Sequence, residues 1–258
     1  MEEHIRFEVA GRIAYITLNR PEKRNALGPE LISALTAVMA ETESRPDIRV
    51  IIIKAAGKVF SAGADLAYLQ MLQQNTYEEN LRDSARLKDL FQAIYQSSKV
   101  VIAQVEGHAI AGGCGLAALC DMVFAVPEAR FGYTEVKIGF IPALVACYLV
   151  RKLGEARVKE LLLSGELITA ETAAAYGLIN FVVPAGEIAE RVASYAENIC
   201  NTTSGESVSR TKSLLQQVYE LSLEDSLSAA VRANAEARGT ADCRKGISAF
   251  LKKEPVTW

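Results

Sequence analysis

The sequence lacks a long apolar run, although half of its 258 residues are hydrophobic. No window reaches the roughly 18–20 uninterrupted apolar residues that a membrane-spanning helix needs. The start, MEEHIRFEVAGR, is acidic and has no apolar stretch of the kind that marks a signal or transit peptide. We therefore expect a cytoplasmic protein with no membrane partner, large enough for one α/β domain or for such a domain with a helical appendage.

An excess of either charge is also missing. The chain has 28 basic and 31 acidic residues, which gives a formal net charge of −3. No basic stretch could follow a phosphate backbone, so we expect no nucleic-acid partner.

Cysteine and histidine are few and lack the spacing of metal ligands. The two histidines are His4 and His108, and no partner spacing supports a serine-protease triad around His108, for which packing or exposure is the favoured interpretation. We expect free, buried thiols in a reducing compartment and neither a metal site nor a cofactor. The five cysteines are Cys114, Cys120, Cys147, Cys200 and Cys243.

Up to about Gly154, hydrophobic periodicity predicts alternating strands and helices. This alternation indicates parallel βαβ units. The predicted strands are two within 5–18, around Gly11, and one each over 50–55, 100–105 and 122–126. The predicted helices cover 29–44, 77–97 and 114–120.

After Gly154 the pattern is mainly helical. Several apolar helix faces follow Ala185, more than one core would absorb, so we expect a homo-oligomer. We predict a core with the active site over residues 1–185 and a helical oligomerisation region over 186–258. The predicted helices cover 158–163, 170–176, 187–200, 208–221 and 225–237, with one strand over 179–183.

Two turns are built from small residues, Ser61-Ala62-Gly63-Ala64 and Ala111-Gly112-Gly113. A helix start presents unpaired backbone N–H groups, and without side chains a ligand oxygen can approach them closely. Two such amides aimed at one carbonyl oxygen would form an oxyanion hole, in which each donor is worth roughly 3–4 kcal/mol to a transition state. The first turn, taken alone, is also compatible with an ordinary strand-to-helix turn capped by Asp65.

Five segments in this order and spacing resemble the crotonase (enoyl-CoA hydratase/isomerase) superfamily. The resemblance implies an α/β fold, a spiral of ββα units with a C-terminal helical trimerisation region, in a trimer or dimer of trimers. It also implies an acyl-CoA thioester substrate, with coenzyme A as part of the substrate. The segments are ITLNRPEKRNAL from Ile16, VIIIKAAGKVFSAGADL from Val50, VIAQVEGHAIAGGCGLAALCD from Val101, FGYTEVKIGFIP from Phe131 and LLLSGELITAETAAAYGLIN from Leu161.

The resemblance assigns three catalytic positions. The oxyanion amides fall on Ala64 and Gly112, and the acid/base falls on Glu135 in FGYTE. A carboxyl among apolar groups has a raised pKa and can exchange protons near neutral pH. Without the family context, Glu135 would be interpreted as a surface residue paired with Lys137 or another cation.

The resemblance also assigns residues to coenzyme A. The loop of Lys23, Arg24 and Asn25 and the backbone around the first glycine turn would meet the nucleotide and pantetheine. Phe250 and Lys253 would reach the adenine and 3′-phosphate from a neighbouring subunit, although each cation could equally be solvated. The predicted coenzyme A residues are Arg24, Ala62, Asp65, Leu66, Phe250 and Lys253.

The chain departs from the family pattern at Gly115, where typical hydratases carry a second glutamate. We therefore predict isomerase-type proton transfer by a single glutamate. One-glutamate hydration, aided by Tyr133 or a carboxylate between Tyr68 and Glu79, is the alternative, as is a carrier-protein-linked or weakly catalytic homologue. Ala143 stands where dehalogenases and thioester hydrolases of the superfamily often have an aspartate, which disfavours both activities.

Overall fold

Two β-sheets form the centre of the fold. A computed structural model describes residues 4–258, apart from the side chain of Leu66, so Glu2 and Glu3 of the acidic start lie outside it. The strands in these residues are β1 (Ile5–Ala10), β2 (Ile13–Leu18), β3 (Val50–Ala55), β4 (Val59–Ser61), β5 (Val100–Val105), β6 (His108–Ile110), β7 (Met122–Ala125), β8 (Arg130–Gly132), β9 (Ile168–Thr169) and β10 (Phe181–Val182).

The predicted parallel topology is confirmed. The larger sheet has the order β1-β2-β3-β5-β7-β10, and only the β1–β2 pair, which turns at Gly11, is antiparallel in it. The smaller sheet has the order β4-β6-β8-β9, with β4, β6 and β8 parallel. Each of the strands β3, β5 and β7 is followed by a short strand in the smaller sheet and then by a helix. These repeats are the ββα turns of the expected spiral.

Ten α-helices in the described residues surround the sheets. No helix in that part of the chain is long and apolar enough to cross a bilayer. The helices are α1 (Pro29–Ser44), α2 (Leu66–Leu72), α3 (Tyr77–Gln96), α4 (Gly112–Ala118), α5 (Ala143–Ser164), α6 (Ala170–Tyr176), α7 (Ile188–Thr202), α8 (Gly205–Val218), α9 (Leu223–Arg238) and α10 (Ala241–Lys252).

Helix α10 was not predicted, and two of the predicted helices, α4 and α5, differ in ways that bear on the site. Helix α4 begins at Gly112 rather than Cys114, so the glycine is itself the first helical residue. Helix α5 extends far beyond the predicted 158–163, and it bends at Gly154, where φ is 74° and ψ is 163°. Its first half packs in the core through Val145 and Leu149, which are almost fully buried. Tertiary packing, rather than periodicity, therefore supports that half as helix.

The C-terminal helices differ in how much they bury. Helix α7 packs on β3, β5 and β7, with Ile188, Val192 and Ala196 fully buried. Helices α8 and α10 contain no buried residue, and α9 buries only Ala229. The division at residue 185 stays a prediction, but the helices with largely exposed faces begin only after α7.

Candidate active site

Three chain segments leave neighbouring parallel strands at the same edge of the smaller sheet. Ala64 follows the end of β4, Gly112 follows β6 and Glu135 follows β8. The carboxyl ends of adjacent parallel strands lie side by side, and in α/β folds this edge is where ligands bind. The topology thus brings the three predicted catalytic positions to one place.

The two glycine turns are in direct contact. A Cβ on Gly63 would lie 2.7 Å from the Cβ of Ala111 and 3.0 Å from the carbonyl oxygen of Ile110. A Cβ on Gly113 would lie 2.5 Å from the Cβ of Ser61. The 2.7 Å distance at Gly63 and the 2.5 Å distance at Gly113 are too short for any side chain, and Gly63 also has a φ of +87°. The close approach of the turns therefore requires glycine at these two positions.

The backbone N–H of Ala64 is left free by the pairing around it. Leu27 N donates to Gly63 O at 2.6 Å and Asp65 N donates to Leu27 O at 3.2 Å, which forms an isolated parallel bridge between Leu27 and Ala64. In such a bridge the N–H of the central residue points to the opposite side. Among the described residues, no acceptor receives a hydrogen bond from it.

The backbone N–H of Gly112 is the second free donor. It is the first amide of α4 and has no acceptor in the described part of the chain. Ala111 before it has a φ of +51°, an uncommon conformation for a residue with a Cβ, and its N–H donates to Gly132 O at 2.7 Å. A Cβ on Gly112 would lie 3.2 Å from Leu27 Cδ1, so Leu27 borders both free amides.

Glu135 is a partly buried carboxyl, one oxygen of which has no hydrogen-bonding partner among the described residues. It begins a short 3-10 turn, Glu135–Ile138, after β8. Its Oε2 is buried and accepts no hydrogen bond within the described residues, and burial raises the pKa of the carboxyl. Lys137, which was one possible partner, forms its ion pair with Glu166 at 3.0 Å instead. Glu135 thus forms no ion pair with Lys137.

The space beside Gly115 is filled with apolar side chains. A Cβ there would lie 2.3 Å from Val145 Cγ1 and 3.5 Å from Phe91 Cζ, and both side chains are buried. The missing carboxylate is thus replaced by packing and not by an open cavity. Sequence reasoning missed Val145, which stands two residues after Ala143.

The predicted coenzyme A residues fall into two groups. Arg24 is exposed in a turn fastened to the first glycine turn, since Ala62 N donates to Arg24 O at 3.0 Å. Asp65 caps α2 by accepting from Ala67 N at 3.0 Å, as the structural alternative predicted, and the backbone of Leu66 starts this helix. Phe250 and Lys253 are exposed at the end of α10, and Phe250 is 82% exposed.

Asn25 of the same loop has a structural role. Its side chain is buried and donates to Ala56 O at 2.9 Å and Val59 O at 2.8 Å.

A hydrogen bond from Tyr68 to Asp83, which sequence reasoning missed, joins α2 to α3. Burial and this carboxylate raise the pKa of Tyr68 to about 12, so the phenol stays protonated.

The remaining expectations concern histidine, cysteine and Tyr133. His108 is exposed and its Nδ1 accepts from Arg130 N at 3.2 Å, which fits the packing interpretation. The cysteines are free thiols as predicted, but two are not buried: Cys147 is exposed on the outer face of α5, and Cys243 in α10 is half-buried. The described residues contain no cluster suited to a metal. Tyr133 is fully buried, which is incompatible with its direct help in hydration.

Comparisons with known proteins agree with the fold. The family model described as enoyl-CoA hydratase/isomerase matches residues 8–258. A Thermus thermophilus protein named "Putative enoyl-CoA hydratase" is 44% identical, over 95% of this chain and 96% of its own. The (E)-benzylidenesuccinyl-CoA hydratase of Thauera aromatica is 34% identical, over 95% of each. The crystal structure of a Mycobacterium smegmatis enoyl-CoA hydratase superposes with a TM-score of 0.94 at 29% identity, covering 100% and 99% of the two chains.

A crotonase-type α/β spiral, with two free backbone amides and a partly buried carboxyl at one edge of its smaller sheet, defines the class of protein. The chain belongs to the enoyl-CoA hydratase/isomerase family. It is an enzyme of that family.

Proposed function

We propose that this enzyme isomerises 3-enoyl-CoA thioesters by moving a proton from the α-carbon to the γ-carbon. The thioester oxygen accepts hydrogen bonds from the N–H groups of Ala64 and Gly112, which stabilise the dienolate that forms when the α-proton leaves. Glu135 takes that proton and returns it at the γ-carbon. Only protons move, so the reaction requires no redox cofactor, and no metal is part of the proposal.

The observation that carries this proposal is the single carboxyl. Glu135 has an unpartnered buried oxygen, while Gly115, the position of the second glutamate in typical hydratases, has neither a carboxylate nor room for one. Hydration has to hold a water molecule against the β-carbon, and Val145 and Phe91 occupy the space where a second carboxylate would hold it. Apolar packing by Val145 and Phe91 at this position favours transfer of a proton within the substrate over addition of water.

Hydration of 2-enoyl-CoA is the second candidate. The names of the Thermus and Thauera relatives favour it. In this case Glu135 alone would activate the water.

For either reaction, we propose that Arg24, Ala62, Asp65 and Leu66 contact coenzyme A, and that Phe250 and Lys253 reach it from a neighbouring subunit.

A comparison of the two reactions tests the proposal. We expect the wild type to isomerise 3-hexenoyl-CoA faster than it hydrates 2-hexenoyl-CoA, measured as kcat/KM at one chain length. Efficient hydration, at roughly 10⁶ M⁻¹s⁻¹ or above, without isomerisation would show that the hydratase candidate is the correct one. No turnover of either thioester, together with binding of acetoacetyl-CoA, would favour the weakly catalytic alternative.

The packing of Val145 against Gly115 suggests a gain-of-function variant. Gly115→Glu alone should destabilise the fold, by about 1–3 kcal/mol as overpacked cores do, because its Cβ would lie 2.3 Å from Val145 Cγ1. Gly115→Glu combined with Val145→Gly should fold and should raise hydration relative to isomerisation. Val145→Gly alone is the control for the cavity. An unchanged ratio of the two rates in a folded double variant would contradict our interpretation of Gly115.

We also propose that the protein is a homotrimer or a dimer of trimers. Helix α9 carries Leu223, Leu227 and Val231 at i, i+4 and i+8, and each side chain is more than half exposed. Helix α10 adds Ile247, Phe250 and Leu251, which are exposed to a similar degree. Apolar surface of this extent is typical of an interface between subunits.

Solution mass tests the oligomer. The wild type should have a mass near three or six times the 28.0 kDa chain, and Leu227→Glu should lower it by placing a charge in the interface. Ser228→Glu is the matched control, since Ser228 is exposed on another side of α9. A wild type that stays at 28.0 kDa over a wide concentration range would contradict the proposal.

A further inference from the structure

Tyr133 carries a hydroxyl that the fold does not use. The residue is fully buried, and its Oη has no hydrogen-bonding partner of good geometry among the described residues. A buried hydroxyl without a partner costs free energy, and phenylalanine would fill the same space without that cost. The position of the hydroxyl therefore calls for an explanation.

The hydroxyl lies between the two segments that carry the catalytic groups. Tyr133 stands two residues before Glu135, and its Oη lies near the thiol of Cys114, two residues after Gly112. Cys114 is also fully buried. The backbone links the same segments, because Ala111 N donates to Gly132 O at 2.7 Å. One side-chain contact and one backbone hydrogen bond thus join the start of α4 to the turn that holds Glu135.

Neither side chain is suited to direct chemistry. Both are buried completely, so a substrate cannot touch them without a rearrangement of the core. Burial raises the pKa of the Cys114 thiol to about 12, so it is protonated at neutral pH and is a poor nucleophile. Their place behind the site suits a role that acts through their neighbours.

We propose that Tyr133 is a positioning residue, whose contact with Cys114 sets the spacing between the N–H of Gly112 and the carboxyl of Glu135. The inference rests on the proposed function of that site, in which both groups act on one thioester. A small misplacement of a reacting group, on the order of 1 Å, costs about 10²-fold in rate. A weak sulfur–hydroxyl contact can therefore matter far more for turnover than for folding.

The test begins with Tyr133→Phe, which removes only the hydroxyl. We expect kcat for 3-hexenoyl-CoA to fall about tenfold, a fraction of the loss from a full misplacement, with KM nearly unchanged. The midpoint of thermal unfolding should stay the same or rise, since an unpartnered buried group is lost. Tyr176→Phe is the matched control: its hydroxyl donates to Glu160 at 2.6 Å on the outer surface, and kcat should not change.

Variants of Cys114 test whether the two side chains act together. Cys114→Ala should lower kcat as Tyr133→Phe does, and the double variant should show no further loss, because both remove one contact. Cys114→Ser keeps a polar partner for the hydroxyl and should retain more activity than Cys114→Ala. Losses that multiply in the double variant, or an unchanged kcat in Tyr133→Phe, would overturn the proposal.

A second measurement separates this inference from the proposed function. Bound acetoacetyl-CoA should form an enolate, visible in its ultraviolet absorbance, if the two amides and Glu135 act on one thioester. A wild type with neither enolate nor turnover would overturn the proposed function and this inference with it. A wild type that forms the enolate, beside a Tyr133→Phe variant that forms it equally well and turns over at the parent rate, would overturn the positioning role alone.

Discussion

Replacing Glu135 by glutamine is expected to lower kcat by about 10²- to 10⁴-fold, the usual effect of removing a positioned proton carrier. Glutamine has nearly the same shape, so the affinity for acetoacetyl-CoA should survive. In the wild type, kcat/KM should rise with pH through a pKa above that of an ordinary carboxyl, because Glu135 must be ionised to accept the α-proton and burial disfavours its charge. Parent-like kinetics on a verified substrate would contradict the role.

Glu135→Gln should lower activity but raise the stability of the fold at neutral pH. Because burial raises the pKa of Glu135 in the folded state, ionising it costs stability at every pH above that raised value. Glutamine carries no charge, so Glu135→Gln should unfold at a higher temperature than the wild type at neutral pH. The difference should shrink as the pH falls through the raised pKa and vanish below the pKa of the unfolded chain. A variant that loses both activity and stability would instead indicate a structural role.

Gly112→Val is expected to have the second largest effect. Its Cβ would lie 3.2 Å from Leu27 Cδ1, and the branched carbons beyond it would extend to where the thioester oxygen is proposed to bind. Loss of one oxyanion donor costs about 10²- to 10³-fold in kcat. Circular dichroism should show a folded protein, since Gly112 has no positive φ that would forbid a side chain.

Gly186→Val is the matched control for this variant. A Cβ on Gly186 would have no atom within 4 Å, and its backbone likewise has no positive φ. Its activity and unfolding should match those of the wild type. Parent-level turnover by a folded Gly112→Val, or a bound thioester oxygen that points away from this amide, would show that Gly112 is not an oxyanion donor.

The sequence could predict the parts of the fold that are long and regularly patterned. Strand β3 and helix α1 have the predicted bounds, because a buried parallel strand needs a continuous apolar run and a surface helix needs one apolar face. Strands β4, β6 and β8 have three residues each, too few for any periodicity to show. Helix α5 was only half predicted, because its core-facing half depends on residues distant in the chain.

The candidate site was predictable to a similar extent. The small residues around Gly63 and Gly112 indicate turns that a ligand can approach, and the structure brings these turns together. The sequence also shows that Gly115 has no carboxylate. It could not show that Val145 fills the space, since that contact joins two residues far apart in the chain. It could not show the isolation of the Tyr133 hydroxyl for the same reason.

The smaller sheet has a consequence for how such an enzyme changes its chemistry. Each of its parallel strands leads to one part of the proposed site: β4 and β6 lead to the amides proposed to stabilise charge, and β8 leads to the carboxyl proposed to move the proton. Charge stabilisation and proton transfer are thus encoded in separate repeats of the spiral. Under the proposed function, glycine at 115 would remove one reaction while the two amides stay in place. The fold is modular at the level of a single catalytic step.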